Sequence, residues 1–308
     1  MTAPSPTKPS TTKLKKTSVG EAPPGARKRE KVGRAARRAR SPLALLAITG
    51  AFMWVASCTA VVEPGQPLEL TKVEVAALRG EMEASPADLE RPVVVLSGYH
   101  AWPSMADRLA DRLAAVTSGD RDDFVDVAYT NVGEFDKMVS RAILTVDAAF
   151  PSDDPRETVE VDVVGISAGG LVARAAAMPL HKGLARDKRL KIRRLYTLGT
   201  PHRGALLAER IAPDPAAKDM VQGSDFLRSL DEDLPGIDYE IYPYAHLNDT
   251  WVGATRSAPP GYDPVWTGGR RMFSHFGVSD NKMFILDIAR RLRGDEPLAS
   301  EPTPPPRD

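Results

Sequence analysis

The chain has 308 residues, of which 42% are hydrophobic, so it can bury a sizeable core in one large or two modest domains. Its 41 Lys and Arg balance its 41 Asp and Glu. The first 40 residues, however, hold twelve Lys or Arg and two Glu, so this tail is +10 and the rest of the chain is −10. A single cysteine excludes an internal disulfide. Such a basic tail is typical of proteins that meet nucleic acid or a membrane surface.

An uncharged apolar run, residues 42–62, follows the tail and decides between these partners. Positive residues, an apolar core and then small residues are the layout of an export signal. The only cysteine, Cys58, ends the sequence Val-Ala-Ser-Cys, which resembles a bacterial lipobox. We predict a basic, largely disordered n-region at 1–41, a signal segment at 42–58, and lipidation of Cys58. An uncleaved signal anchor is the alternative. We therefore expect an exported, membrane-anchored lipoprotein of the bacterial cell envelope, with no nucleic-acid partner.

Residues 59–90 are predicted to form a tether and leader, with a helix over 72–82, ahead of a folded domain at 91–294. Within that domain, apolar runs alternate with segments of helical periodicity. The predicted strands are 93–96, 124–129, 159–164, 192–198, 239–244 and a weak one at 262–266. The predicted helices are 105–116, 133–150, 168–178 and 283–292, and the Pro-rich tail 295–308 is predicted to be disordered. This alternation predicts an α/β domain with a doubly wound, mostly parallel sheet.

Residues 165–169 read Gly-Ile-Ser-Ala-Gly, at the end of a predicted strand and the start of a predicted helix. This pattern is typical of a nucleophile elbow, in which a sharp turn holds a serine hydroxyl out at the top of a sheet. Side chains at the two glycine positions would collide with the neighbouring strand and helix. Ser167 is therefore the predicted nucleophile.

A serine nucleophile needs a base to remove its proton, and the base needs a carboxylate to orient it. After a nucleophile elbow the acid comes next along the chain, and the histidine follows it. His275 precedes the last predicted helix and Asp249 follows a predicted strand, so we predict them as base and acid. Asp263 and Asp238 remain alternative acids. His246 lies only three residues before Asp249 and would not reach the acid from a separate loop.

Replacing His275 is therefore expected to remove nearly all turnover, and replacing His246 to leave most of it. His202 precedes every candidate acid and is predicted to be structural or to flank the substrate. His181 is predicted to lie on the surface. The sequence contains no metal-ligand cluster or glycine-rich phosphate loop, and no cofactor is predicted.

Attack on a carbonyl builds negative charge on its oxygen, so two backbone N–H donors must face that oxygen. Ala168 is one predicted donor, because the N-terminus of a helix carries positive partial charge. The second is predicted in the loop after the first strand, at Tyr99 or His100, with Gly98 allowing close approach. The His100 side chain either contacts the reacting group or stabilises this loop.

These motifs resemble the α/β-hydrolase superfamily, in its lipase and esterase branch. They are similar to bacterial triacylglycerol lipases and to the GPI-inositol-deacylase-like and lecithin–cholesterol acyltransferase-like groups. The resemblance is carried by residues 93–100, 165–169, 198–204 and 249–275. It implies an α/β-hydrolase fold and cleavage of small-molecule or lipid carboxylic esters through an acyl-enzyme on Ser167.

Some features depart from those groups or leave alternatives open. Ser97 precedes Gly98 where these families usually have His-Gly, which leaves the second oxyanion donor undecided. Residues 220–227 resemble a cap helix, but the insert from Gly204 to Tyr239 is short for a large lid. We therefore expect small or soluble esters rather than strict interfacial lipolysis. The alternative functions are acyl transfer to an alcohol and non-catalytic binding by a hydrolase-like lipoprotein.

Overall fold

The computed structural model describes residues 67–180, 187–269, 274–299 and 301–306. The predicted n-region, the signal segment with Cys58, the first part of the predicted tether and His181 lie outside these residues. Among the helices that are described, none is both long and apolar enough to cross a bilayer.

Strands and helices alternate along most of the described chain. The strands are β1 (Val93–Leu96), β2 (Phe124–Val127), β3 (Val161–Ile166), β4 (Ile192–Leu198), β5 (Glu240–His246) and β6 (Val265–Thr267). The helices are α1 (Lys72–Ala84), α2 (Pro103–Val116), α3 (Phe135–Ala149), α4 (Ala168–Ala177), α5 (Pro215–Asp219), α6 (Asp225–Asp233), α7 (Ser274–Gly277) and α8 (Lys282–Arg293). Two short 3-10 turns, Leu234–Gly236 and Val278–Asp280, follow α6 and α7.

The strands form one sheet in the order β2-β1-β3-β4-β5-β6, and every neighbouring pair is parallel. The chain first extends the sheet from β1 to β2 and then returns to add β3 on the other side of β1. In sheets wound this way, sites form outside the carboxyl ends of the strands where the order reverses. Ser167 directly follows β3 at this position. The predicted doubly wound parallel sheet is confirmed.

Both faces of the sheet are covered. In β1, Val94 and Leu96 belong to a core shared with α3 and α4. Val93 and Val95 point the other way, into a core shared with α1, α2 and α8. This burial on two sides explains why β1 is a continuous apolar run rather than an alternating one.

The folded domain begins earlier than the sequence predicted. Leu68 is buried in the second core, and its N–H donates to the Trp266 carbonyl at 2.9 Å. Helix α1 starts with a capping box between Thr71 and Glu74 and buries Met82. The tether predicted for 59–90 therefore does not extend over 67–84. Helix α1 shows little apolar periodicity, because most of its side chains face solvent.

The C-terminal segment also packs on the domain, where a disordered tail was predicted for 295–308. The fully buried Asp287 accepts the N–H groups of Leu298 and Ala299 at 2.6 and 3.0 Å through Oδ1. The Trp266 indole donates to the Thr303 carbonyl at 3.1 Å. A buried carboxylate needs such partners, so it fixes the described part of the tail.

The segment between β4 and β5 differs from its prediction as well. Residues 220–227 are not one helix: they begin in a turn, and only their last three residues belong to α6. Gly223 has φ +76°, and Ser224 caps α6 by accepting the Leu227 N–H at 3.2 Å. The glycine and the capping serine separate α5 from α6 at this point.

Candidate active site

Ser167 lies in a strained turn between β3 and α4. Its φ of 52° and ψ of −124° form a conformation that costs a non-glycine residue about 1–3 kcal/mol. The Ser167 N–H donates to the Leu198 carbonyl at 2.8 Å, and Thr200 Oγ1 donates to the Ser167 carbonyl at 2.8 Å. These bonds hold the turn with the serine side chain at the end of the sheet.

The two glycines of the elbow are required by close backbone packing, as predicted. A Cβ at Gly165 would lie 2.5 Å from the nitrogen of Gly170, and a Cβ at Gly169 would lie 2.6 Å from the Ser97 carbonyl oxygen. Both distances are shorter than real Cβ atoms reach. Helix α4 can therefore dock on the ends of β1 and β3 only without these side chains.

Three side chains from distant parts of the chain form a continuous hydrogen-bonded line. His275 Nε2 lies 2.9 Å from Ser167 Oγ, and His275 Nδ1 lies 2.8 Å from Asp249 Oδ2. A carboxylate accepts, so Nδ1 carries the proton and Nε2 is free to accept from the serine hydroxyl. The structure thus brings together all three residues that the sequence predicted.

Asp249 is fully buried beyond the end of β5. Burial alone would raise its pKa, but hydrogen bonds from His275 and from the N–H groups of Val252 and Trp251 outweigh burial and lower it. Its Oδ1 accepts the two backbone groups at 3.1 and 3.0 Å, which leaves Oδ2 for His275. An ionised carboxylate with this geometry can orient an imidazole and stabilise its protonated form.

The alternative residues have other contacts. Asp238 precedes β5, at the end of the sheet opposite Ser167, and pairs with Arg189 at 2.7 Å, whereas Asp249 follows β5 and is the acid that contacts His275. His202 is fully buried beneath the elbow: Arg174 donates to its Nδ1 at 3.3 Å, and its Nε2 donates to Thr197 Oγ1 at 3.0 Å. Burial lowers the pKa of His202 well below its ordinary value, and the charge of Arg174 acts in the same direction.

His246, the last residue of β5, supports the segment that carries His275. Asn281 Oδ1 accepts two N–H groups at the start of α8, so its Nδ2 is the atom that faces His246 Nε2, at 2.8 Å. Nε2 must then accept, and His246 Nδ1 donates to the Ser274 carbonyl at 3.0 Å. Burial lowers the pKa of His246, which favours the neutral imidazole that this pattern needs.

The loop after β1 lies directly against the nucleophile. A Cβ at Gly98 would lie 3.2 Å from Ser167 Cβ, so the next residues, Tyr99 and His100, border the space above the serine. Ala168 is the first residue of α4, where N–H groups have no acceptor within the helix. The structure therefore places the predicted oxyanion residues around Ser167. The His100 side chain is hydrogen-bonded to Asp214 at 3.1 Å. Of its two predicted roles, this contact favours stabilisation of the loop.

A cavity of about 470 Å³ opens above Ser167 and His275. One side is formed by the segment after β4, which we call the cavity wall: Ala205, Leu207, Ala208, Ile211, Pro213, Ala217 and Met220. Among the described residues that line the cavity there is no Lys, Arg, Asp or Glu. The cavity is therefore suited to an uncharged, apolar group next to the nucleophile.

Large apolar side chains also surround the mouth of this cavity. Trp102 is 74% and Ile211 is 64% exposed, and Trp251 and Phe276 are partly exposed beside them. Trp251 stacks on the His275 ring, with centroids 5.3 Å apart, and meets Phe276 edge-on at 4.6 Å. The entrance is thus an apolar rim that extends from the base to the cavity wall.

A nucleophile elbow after β3, an acid after β5 and a histidine before α8, on this strand order, constitute the α/β-hydrolase fold. No family model matches the chain, and no curated protein sequence matches it.

Solved structures that are similar to the chain carry hydrolase names. Lipase BlEst2 from Bacillus licheniformis, in its mature form, is 16% identical with a TM-score of 0.41, over 63% of this chain and 89% of that one. A protein from Agrobacterium vitis described as a hydrolase is 17% identical with a TM-score of 0.39, over 68% and 90%. Phospholipase PlaB from Legionella pneumophila is 14% identical with a TM-score of 0.37, over 55% of this chain and 45% of the phospholipase.

Sequence reasoning missed two features of the site. The stacking of Trp251 on His275 brings together residues on different loops, although a tryptophan two positions after the predicted acid was a usable signal. The contacts of Asp214 with Tyr99 and His100 span more than 110 residues, and no local pattern announces them.

Proposed function

We propose that the chain is a serine hydrolase that cleaves carboxylic esters with an apolar acyl group. The observation that carries the proposal is the line Ser167 Oγ–His275 Nε2–Asp249 Oδ2, with distances of 2.9 and 2.8 Å, at the floor of an apolar cavity. Nucleophile, base and orienting acid within hydrogen-bond reach are the components that acyl transfer requires.

In the first half-reaction, His275 Nε2 takes the proton of Ser167 Oγ as the oxygen attacks the ester carbonyl. The imidazolium that forms faces the ionised Asp249, which favours the charged ring. His275 then gives the proton to the leaving alkoxide as the ester C–O bond breaks, and the acyl group remains on Ser167. In the second half-reaction, His275 activates a water molecule, which releases the carboxylic acid and restores the serine.

The carbonyl oxygen becomes an oxyanion in both half-reactions. We assign its donors to the N–H of Ala168, at the start of α4, and to the N–H of Tyr99 or His100 in the adjoining loop. The position of Gly98 against Ser167 supports this assignment. Each such donor contributes about 10²–10³-fold to turnover in comparable sites.

The cavity indicates which esters fit. Among the described residues, the lining has no ionisable side chains other than Tyr99 and the two histidines, and exposed apolar side chains lie at the mouth. We therefore propose that the substrates are neutral esters with an extended apolar chain. This proposal replaces the small or soluble esters that we expected from the short insert between Gly204 and Tyr239. Each methylene buried in the cavity adds up to about 0.8 kcal/mol, or about fourfold in kcat/KM.

A fluorophosphonate probe tests the nucleophile. We expect covalent labelling of the native chain at Ser167, no labelling of Ser167→Ala, and full labelling of Ser140→Ala, which removes an exposed hydroxyl on α3. Labelling that survives in Ser167→Ala would overturn the proposal. Chromogenic esters from acetate to dodecanoate then measure the acyl preference, and an added alcohol separates hydrolysis from acyl transfer by the products formed.

We further propose that Cys58 is lipidated and holds the hydrolase at a membrane, as its lipobox-like sequence indicates. Expression of the full chain in a bacterial host with a labelled fatty acid tests this point. The native protein should carry the label and sediment with membranes, whereas Cys58→Ala should carry none. Equal labelling of both proteins would contradict the lipidation of Cys58.

A further inference from the structure

The carboxylate of Asp214 joins the cavity wall to the loop that follows β1. Asp214 Oδ2 accepts the Tyr99 hydroxyl at 2.6 Å and His100 Nε2 at 3.1 Å. The rings of Tyr99 and His100 pack edge to face, with centroids 4.2 Å apart. Two consecutive loop residues are thus bonded to one oxygen atom from a segment more than 110 residues away.

The loop needs such support. His100 has φ +49°, in the left-handed region that is uncommon for a residue other than glycine. Only three residues separate β1 from this point, and Gly98 approaches Ser167 closely. A small rotation of the loop would therefore move the N–H groups of Tyr99 and His100 relative to the serine.

Asp214 itself is held from its other side. Its Oδ1 accepts the Ala217 N–H at 2.9 Å and caps α5. A Cβ at Gly133 would lie 2.8 Å from Asp214 Cγ, so the carboxylate packs against bare backbone. Burial alone would raise the pKa of Asp214, but the hydrogen bonds from Tyr99, Ala217 and His100 outweigh burial and lower it. The carboxylate therefore stays ionised and accepts from both loop side chains.

We propose that Asp214 is a positioning residue that sets the oxyanion donors of the loop at Tyr99 and His100 from the cavity wall. The inference rests on the proposed ester hydrolysis at Ser167. It connects substrate recognition with the rate of hydrolysis. Two residues that adjoin Asp214, namely Pro213 and Ala217, line the cavity that receives the acyl group.

The test uses Asp214→Asn, which keeps a helix-capping oxygen but replaces the acceptor facing the loop by an amide. We expect kcat to fall about tenfold to a hundredfold with KM nearly unchanged, because oxyanion donors act mainly in the transition state. An alkyl boronic acid, which forms a tetrahedral adduct with the serine, should lose affinity by the same factor. A long-chain alcohol, which only fills the cavity, should bind as before.

Two further variants separate positioning from general structural support. Asp225→Asn makes the same charge change on an exposed side chain at the start of α6 and should leave kcat and boronate affinity unchanged. Tyr99→Phe should show part of the loss in kcat and boronate affinity seen in Asp214→Asn. In the double variant, kcat should lie within twofold of its value in Asp214→Asn. If Asp214→Asn does not fold, Tyr99→Phe carries the test alone.

The outcomes distinguish this inference from the proposed function. If Ser167-dependent hydrolysis is present and Asp214→Asn changes neither kcat nor boronate affinity, the inference is wrong and the proposed function stands. An equal loss of affinity for the boronic acid and for the alcohol in Asp214→Asn would also reject the positioning role. So would a loss of kcat in the double variant equal to the product of the losses in Asp214→Asn and Tyr99→Phe. If no hydrolysis depends on Ser167, both the function and the inference are rejected.

Discussion

The two sides of the active site are built from different interactions. The triad floor, formed by Ser167, Asp249 and His275 with the supporting His246, is held by directed hydrogen bonds between buried groups. The cavity wall turns apolar side chains toward the cavity and presents Ile211 to solvent, and backbone hydrogen bonds such as Leu207 N–H to the Trp251 carbonyl, at 2.9 Å, tie it to the domain. On the floor each donor meets a specific acceptor, so a small displacement removes an interaction. The apolar side chains of the wall impose no such directional requirement on what they contact.

Under the proposed function, this difference assigns the reaction to the floor and the choice of substrate to the apolar side chains of the wall, with Asp214 as a polar link between the two. Directed bonds fix the distance between nucleophile and base, on which turnover depends steeply. Apolar contact area sets how much of the acyl chain is buried and leaves the reacting atoms in place. Substitutions on the floor should therefore change kcat, and substitutions of the apolar side chains that define the wall should change acyl preference.

The largest expected effect is that of His275→Ala. Without a base to accept the Ser167 proton, kcat for a chromogenic ester should fall by about 10⁴-fold or more. Steady-state kinetics measures the loss, and circular dichroism checks that the fold is retained. A decrease in kcat of less than about tenfold would mean that the residues of the floor do not catalyse the hydrolysis.

Acid should lower the free energy of unfolding of the whole domain, because two buried histidines, His202 beneath the elbow and His246 on the floor, have lowered pKa values. Below pH 6.5 the unfolded chain binds protons that the folded chain does not, so the free energy of unfolding falls as pH decreases. Each histidine contributes about 1.4 kcal/mol per pH unit until its own folded pKa is reached. Above pH 6.5 this contribution to stability is fully present.

Urea unfolding at pH 7.5, 6.5 and 5.5 measures this dependence. The variant His246→Phe should reduce the slope between pH 6.5 and 5.5 relative to the native chain, by less than one proton because the unfolded imidazole is only partly protonated in this range. An unchanged slope would show that His246 does not stay neutral in the folded state.

A moderate effect on turnover is expected for the same variant, His246→Phe. The ring can still pack on Phe284, but the Ser274 carbonyl and the Asn281 amide lose their partner. We expect kcat to fall about threefold to tenfold at pH 8 with KM unchanged, more than the sequence alone suggested for a change at His246. A change in KM without a change in kcat would place His246 with the wall.

The smallest effect is expected for Ile211→Asp on the wall. A carboxylate at this exposed position should lower kcat/KM for dodecanoate a few-fold relative to butyrate, because the longer chain must pass it. Leu144→Asp is the matched control, since Leu144 is 70% exposed on α3 and lies away from the cavity. If the ratio of kcat/KM for dodecanoate to kcat/KM for butyrate is the same in both variants, the wall does not select the acyl chain.

The sequence predicted the central strands and the elbow well, because burial on both faces leaves β1 wholly apolar and keeps most positions of β3 and β4 apolar or aromatic. The sequence also predicted that Ser167, Asp249 and His275 lie close together, because in parallel α/β folds the carboxyl ends of the strands share one edge of the sheet. The short strand β6, predicted at 262–266, lies at Val265–Thr267 instead, because three residues at a sheet edge give little periodicity.

The remainder depends on contacts between distant segments. Helix α1 has few buried positions, so its sequence resembles a polar leader although it packs on α2 and α8. Asp214 looks like an ordinary helix cap in the sequence, and only the folded chain shows that the carboxylate also reaches Tyr99. Long-range partners of polar side chains follow from topology, which no local pattern contains.

The strained backbone of Ser167 has a consequence for how this molecule can change. Glycine adopts such dihedral angles without penalty, so Ser167→Gly would relax the turn and raise the melting temperature while leaving no nucleophile. Selection for heat resistance alone would therefore drive the chain toward an inert scaffold. Under the proposed function, selection for catalysis is what keeps a serine at this strained position.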